Sequence, residues 1–426
     1  MMQYPRLLII SNECLSSVSS NGRTLRNLLI GWPKEKLAQF HIRRTAPDQS
    51  VCDRFYYVSD SAALRAFLTG KGALGIHQED ETATVGHQKT AGGRRNSLTM
   101  MLRDLVWNSG RWAGKRFQQW VDEFSPEVIL LQAGDCGFML RIARKLAEKY
   151  HIPLVIYNSE GYYFKQFDYF QSKGIAKLAY PIFYRNFCRE FDRTIRVASK
   201  SVYCCDKLKR DYDAHFGLPS EVIYTATQMI AAAKEPQNDP LQISYLGNLG
   251  VGRHEGLVDI ANVLQHISPE LKLDVYGRIP NQTVEDAFER CPGICYRGFV
   301  SYDEVQNVIR HSDILIHTEN FSDFYKEDLQ YAFSTKIADS LASGRCFFLY
   351  APGNLACTEY LKNHEAAYVI ERKEDLLPCL DQLCSDSQAR TKYIENALQL
   401  VKENHQAEKN AKHFQDILRE SVKDRL

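Results

Sequence analysis

Short apolar runs separated by helical patterns recur along this chain and limit what it can fold into. Runs such as Leu7-Leu8-Ile9-Ile10 and Val128-Ile129-Leu130-Leu131 show no polar alternation. Each therefore fits a strand buried on both faces. Strands alternating with helices predict an α/β architecture in which parallel sheets are covered by helices on both sides. In the first half the predicted strands are Arg6–Ser11, Ala38–Ile42, Phe55–Val58, Val128–Leu131, Leu154–Tyr157, Ser201–Tyr203 and Val222–Tyr224. In the second half they are Gln242–Leu246, Leu271–Tyr276, Ile294–Arg297, Ile314–His317, Cys346–Tyr350 and Ala367–Ile370.

With 426 residues the chain has room for more than one such sheet. Pro236, Asn238, Asp239 and Pro240 mark residues 231–240 as a linker. The expected division is an N-terminal Rossmann-like domain over 1–230 and a C-terminal one over 241–410, the two facing a cleft. The helical tail 411–426 is expected to pack back on the first domain. Residues 71–97, rich in glycine and charge, read as a mobile insertion. The net charge of +1 hides a split: residues 1–233 hold 32 Lys and Arg against 22 Asp and Glu, and the remainder is acidic. The halves should therefore meet different partners.

No apolar stretch is long enough for a membrane-spanning helix, and the start lacks the pattern of a secretion signal. The twelve cysteines follow no framework, which fits reduced thiols and a cytoplasmic location. Asp211-Tyr212-Asp213 is a DxD string inside a charged helical segment and reads as a solvated surface. The histidines show no paired-ligand spacing, so no metal and no other cofactor is expected.

Ligands of parallel α/β sheets bind beyond the carboxyl ends of the strands. Tyr331–Pro352 reads as loop, helix and buried strand. Ser334 or Thr335 can cap that helix, and Lys336 sits in the first turn, where a cation is unfavourable unless an anion joins it. Asp339 lies three residues on, placed to reach a ribose while Lys336 and the amides hold a diphosphate. The alternative is a capped helix with a local Lys336–Asp339 ion pair. In Ile243–Leu264 a strand leads through Gly247, Gly250 and Gly252 to Arg253 at the start of a helix. That is a phosphate loop or simply a tight turn. Ser16 to Arg23, with Gly22, forms a third loop before a helix, equally able to close on a phosphate or only to connect.

Together these segments resemble glycosyltransferases of the GT-B fold. The likeness is to the retaining family that includes sucrose synthases and many bacterial polysaccharide enzymes, the family 4-like "group 1" transferases. It implies that Arg253 takes the place of the family's donor-phosphate lysine, while Asn248 stands beside Gly247 where the family has arginine. Asp339 falls at the ribose-holding glutamate. Tyr331 falls at the sugar-positioning one, with Glu327 or Asp328 as possible substitutes. Gly277 and Arg278 resemble the turn facing the nucleotide, and Phe299 and Val300 the segment lining the base. Asp135 and Glu160, beyond two first-domain strands, take the acceptor-side catalytic positions. Ile223-Tyr224-Thr225-Ala226-Thr227 replaces the usual turn before the linker.

The resemblance implies metal-independent transfer of a sugar from a nucleotide sugar, with retention, to a saccharide or polyprenyl-diphosphate-linked saccharide in surface polysaccharide synthesis. Arg103, Arg111, Lys115 and Arg116, beside Trp107, Trp112, Phe117 and Trp120, suit contact with anionic lipid at the inner face of the cell membrane. The other reading makes those aromatics core. No nucleic-acid motif is present. A nucleotide-sugar epimerase of the same fold, or a noncatalytic binder, would share the site pattern.

Overall fold

The computed structural model describes residues 4–16, 19–73, 95–229, 231 and 238–424. The core of the expected insertion (74–94) and most of the expected linker (232–237) lie outside the described residues. The chain divides into two units, Met1–Tyr224 with Glu408–Leu426 and Thr225–Ala407.

The first unit contains β1 (Leu7–Ser11), β2 (Leu37–His41), β3 (Arg54–Tyr57), β4 (Val128–Ala133), β5 (Leu154–Asn158), β6 (Lys200–Tyr203) and β7 (Ser220–Val222). They form one sheet in the order β3-β2-β1-β4-β5-β6-β7, with every pair parallel. Leu7 is in register with both Leu37 and Val128. Alternate side chains point to opposite faces. Leu7, Ile9, Val128 and Leu130 pack on one side with Phe414, Ile417 and Leu418 from the helix Ala407–Lys423.

Phe40 and Tyr56, in the opposite phase, stack with Trp112, Phe117 and Trp120. Trp107 joins them from the helix Ser97–Asn108, and all three tryptophans are buried. Of the two readings of this stretch, the aromatics follow the core one, while Arg111, Lys115 and Arg116 stay exposed. The aromatic rings form the first unit's second core layer. Arg103 is held by Asp60 and Arg111 by the carbonyl of Phe67.

The second unit contains β8 (Ile243–Leu246), β9 (Leu273–Tyr276), β10 (Ile294–Gly298), β11 (Ile314–Thr318), β12 (Cys346–Tyr350) and β13 (Tyr368–Ile370). The parallel order is β10-β9-β8-β11-β12-β13. Ile243, Tyr245, Ile314, Ile316 and Phe348 are among its core. The chain enters this unit earlier than the linker composition suggests, because Thr227 is buried and its amide donates to the carbonyl of His405 at 3.0 Å. Among the described residues, no helix is long and apolar enough to cross a membrane.

In each sheet the strand order reverses beside the first strand, between β1 and β4 and between β8 and β11. In parallel sheets of this kind, such a reversal is where ligands bind, beyond the carboxyl ends of the strands.

Candidate functional site

At the β8/β11 reversal the first feature is steric. Gly252 has φ +73°, and a Cβ there would lie 2.3 Å from Asn320 Nδ2. A Cβ on Gly256 would lie 2.2 Å from Thr318 Oγ1. Glycine at both positions lets the helix Arg253–Ile267 press against the end of β11. That approach brings Arg253 to Glu319, the residue that follows β11. Arg253 Nε donates to Glu319 Oε2 at 2.8 Å and Nη2 to Oε1 at 2.6 Å. The Glu319 side chain is buried and that of Arg253 is 12% exposed. His317, two residues earlier on the same face of the strand, holds Glu319 Oε1 at 3.0 Å through Nε2.

Burial alone would raise the Glu319 pKa, but the His317 hydrogen bond and the Arg253 charge override it and hold the carboxyl at about 2. Burial keeps His317 neutral and below its ordinary pKa, and the nearby charges of Arg253 and Lys336 act in the same direction. Arg253 is therefore one half of a buried, charge-neutral bidentate pair. Its Nη1 reaches the carbonyl of Asn248 at 3.4 Å. Asn248 itself closes the glycine turn by accepting from the Gly250 amide at 2.9 Å.

Lys336 projects from the helix Thr335–Ala342 with an exposed side chain. The Ser334 hydroxyl caps this helix, accepting from the Lys336 amide at 3.3 Å, and Thr335 is its first residue. Asp339 accepts from the Thr227 hydroxyl at 2.6 Å. Thr227 thus ties the segment that opens the unit to the helix carrying both predicted ligands. Tyr331 is only 6% exposed. The position expected to orient a donor sugar is a core position here. Glu327 and Asp328 end the short helix Asp323–Asp328.

The predicted base region does assemble. The Gly277 amide donates to the carbonyl of Gly298 at 2.9 Å, and Tyr296 Oη donates to the carbonyl of Gly277 at 2.9 Å. A Cβ on Gly277 would lie 2.3 Å from the carbonyl oxygen of Gly247, so this turn lies directly on the glycine loop after β8. The Arg278 guanidinium sits 4.3 Å from the centre of the exposed Phe299 ring, and Val300 follows.

In the first unit, Asp135 lies beyond β4 and is buried. It is ion-paired with Arg95 and accepts from Tyr169 Oη at 3.2 Å. Its carboxylate is an anchor rather than an open base. Glu160, beyond β5, is exposed, with Lys165 Nζ 3.8 Å away. The Lys165 ammonium is buried against the rings of Tyr162 and Tyr169. Burial and the neighbouring Glu160 and Asp135 push the Tyr162 phenol well above its ordinary pKa. The Gly22 amide is taken up by the Ser19 hydroxyl at 3.1 Å in the cap of the helix Ser20–Leu28. A Cβ on Gly22 would lie 2.4 Å from the carbonyl oxygen of Cys14, so this glycine serves close loop packing. In the DxD string, Asp213 pairs with Lys209 and accepts from Ser220 at 2.5 Å.

Sequence reasoning missed Glu319, His317 and Thr227. The only signal for Glu319 is an isolated acid placed directly after a buried strand.

Residues 253–416 match the family model described as glycosyl transferase-like. A search of curated proteins gives no match. Among solved structures, the chain is similar to Anabaena Alr3699/HepE in complex with UDP-glucose, at 10% identity and a TM-score of 0.63, covering 97% of this chain and 99% of that one. The lipopolysaccharide outer core galactosyltransferase WaaB is 13% identical with a TM-score of 0.56, over 99% of this chain and 100% of that one. The UDP-forming alpha,alpha-trehalose-phosphate synthase from Burkholderia xenovorans is 10% identical with a TM-score of 0.59, over 98% and 100%. Residues 253–416 thus carry a glycosyl transferase-like sequence, and the chain as a whole shares the two-domain GT-B fold of these structures.

Proposed function

We propose that the chain transfers a sugar from a nucleoside diphosphate sugar, held at the carboxyl edge of the second unit, to a saccharide or polyprenyl-diphosphate-linked saccharide in surface polysaccharide synthesis. The observation that carries this reading is the exposed Lys336 beside the neutral, buried Arg253–Glu319–His317 cluster at the β8/β11 reversal. Because Glu319 cancels the charge of Arg253, the outward positive charge at this edge comes from Lys336 and the amino end of its helix. Such a group offsets the charge that builds on a departing diphosphate. Asp339, steadied by Thr227, is placed for the ribose. The Gly277–Phe299 turn is placed for the base. The neighbour solved with UDP-glucose supports a uridine donor.

The family resemblance supports retention without a metal. The bond from the anomeric carbon to the diphosphate oxygen breaks, and the acceptor oxygen bonds to that carbon on the same face. The acceptor proton passes to the diphosphate. Glu160, exposed and 3.8 Å from Lys165, is the acceptor-side carboxylate of this reading. The reading places the enzyme in the cytoplasm, at the inner face of the membrane that holds a lipid-linked acceptor.

A thermal-shift screen with UDP-, GDP-, ADP- and CMP-sugars, followed by turnover on a lipid-linked acceptor, tests it. The expected result is stabilisation by one nucleotide class and an extended saccharide. Change of the donor sugar without acceptor, or no stabilisation by any donor, would sink the proposal.

A further inference from the structure

The helix Ile175–Ile195 is apolar on two sides. One side is core, with Ala176, Tyr180, Phe183 and Phe187 buried. The other carries Ile175, Leu178 and Ile182 at helical spacing in solvent, the first two 75% and 77% exposed. A helix serving only its own domain would present polar groups there.

Two neighbouring helices share the feature. Ser97, the first residue of Ser97–Asn108, meets Ser172 at 3.3 Å, close to the start of Ile175–Ile195. From that junction Leu98, Leu102 and Leu105 are exposed on Ser97–Asn108. The helix Asp60–Thr69 lies alongside, tied by the Asp60–Arg103 pair and by the Arg111 bond to Phe67, and exposes Leu64 and Leu68. Around Ile175, Leu178 and Ile182 the charges have one sign, while the two neighbouring helices also carry the acids Asp60 and Asp104. Between Tyr169 and Arg189 the charged residues are Lys173, Lys177, Arg185 and Arg189, all exposed cations, with no acid among them.

We infer that these three helices form a docking surface for an anionic lipid bilayer, their aliphatic side chains entering the headgroup layer and their cations meeting lipid phosphates. Interleaved aliphatic and basic residues on an exposed helix favour a charged, apolar-cored layer over a protein partner. The inference deepens the lipid-linked acceptor reading and rests on it for its purpose, but vesicle binding needs neither donor nor acceptor.

The test is flotation of the full chain with vesicles of phosphatidylglycerol and phosphatidylcholine, and of phosphatidylcholine alone, at low and high salt. The expected result is binding to the anionic vesicles that weakens with salt. Binding should fall about tenfold in Leu178→Asp with Ile175→Asp, and about tenfold in Lys173→Glu with Lys177→Glu. Lys115→Glu should float like the parent chain. UDP titration of each variant, unchanged from the parent, shows that donor binding is intact and separates this inference from the donor reading. No flotation, or flotation indifferent to both double variants, would overturn it. So would a dimer in solution that Leu178→Asp dissolves, because the face would then be an interface between copies.

Discussion

The two sheets have the same topology but present different chemistry at their carboxyl edges. At the β8/β11 edge a cation and an acid cancel in a buried bidentate pair, and the exposed charge beside them is Lys336. At the β4/β5 edge the buried groups are Asp135 and Lys165 against tyrosines, and the exposed charges are the carboxylate Glu160 and Arg95, the latter paired with Asp135. Strand order reverses in both units, but the charge left outside each buried cluster decides what can bind there. An outward ammonium at a helix start suits a diphosphate, whereas an outward carboxylate suits a hydroxyl nucleophile.

The sharpest way to break this contrast is to unbalance the second unit's pair. Glu319→Ala leaves Arg253 buried without its partner and should lower stability by about 3–5 kcal/mol in denaturant unfolding. Glu160→Gln, at an exposed position, should change stability by less than about 0.5 kcal/mol.

Acid titration compares the units differently. Burial holds His41 in the first unit and His405 in the second at about 4. A histidine held below its ordinary pKa takes its proton later in the folded protein than in the unfolded chain. Its contribution is therefore intact above pH 6.5 and lost as the pH falls toward 4, about 3 kcal/mol for each group. Glu319, held at about 2, adds a loss in the second unit as pH falls from 4.5 toward 2. Urea melts across this range should show the later loss vanish in Glu319→Gln.

Lys336→Ala should cut transfer by about a hundredfold, since in the proposed donor site it removes the exposed cation assigned to the leaving group. Steady-state kinetics with a saturating acceptor read this directly. Thr227→Val, which removes a single hydroxyl donor to Asp339, should cost about 1 kcal/mol in donor affinity with little effect on turnover of bound donor.

All thirteen strands among the described residues are legible in the sequence to within two residues, most of them because unbroken apolar runs of this length have few other uses. The tryptophans of 107–120 show their apolarity but not their partners. Phe40 and Tyr56, far earlier in the chain, bury them. The exposed aliphatics of Ile175–Ile195 show the converse: a helix apolar on two sides does not reveal which side stays wet. The Arg253–Glu319 pair spans 66 residues and forms only because β11 lies beside β8, so no local pattern announces it. Tyr331 falls at a functional position of the family pattern, yet burial makes it part of the core.

Calorimetric titration of UDP into the parent chain, Lys336→Ala and Glu160→Gln tests the central assignment most directly. The account predicts binding to the parent, at least tenfold weaker binding to Lys336→Ala, and parent-like binding to Glu160→Gln. Equal affinity in all three, or a loss confined to Glu160→Gln, would contradict a donor site at the β8/β11 edge.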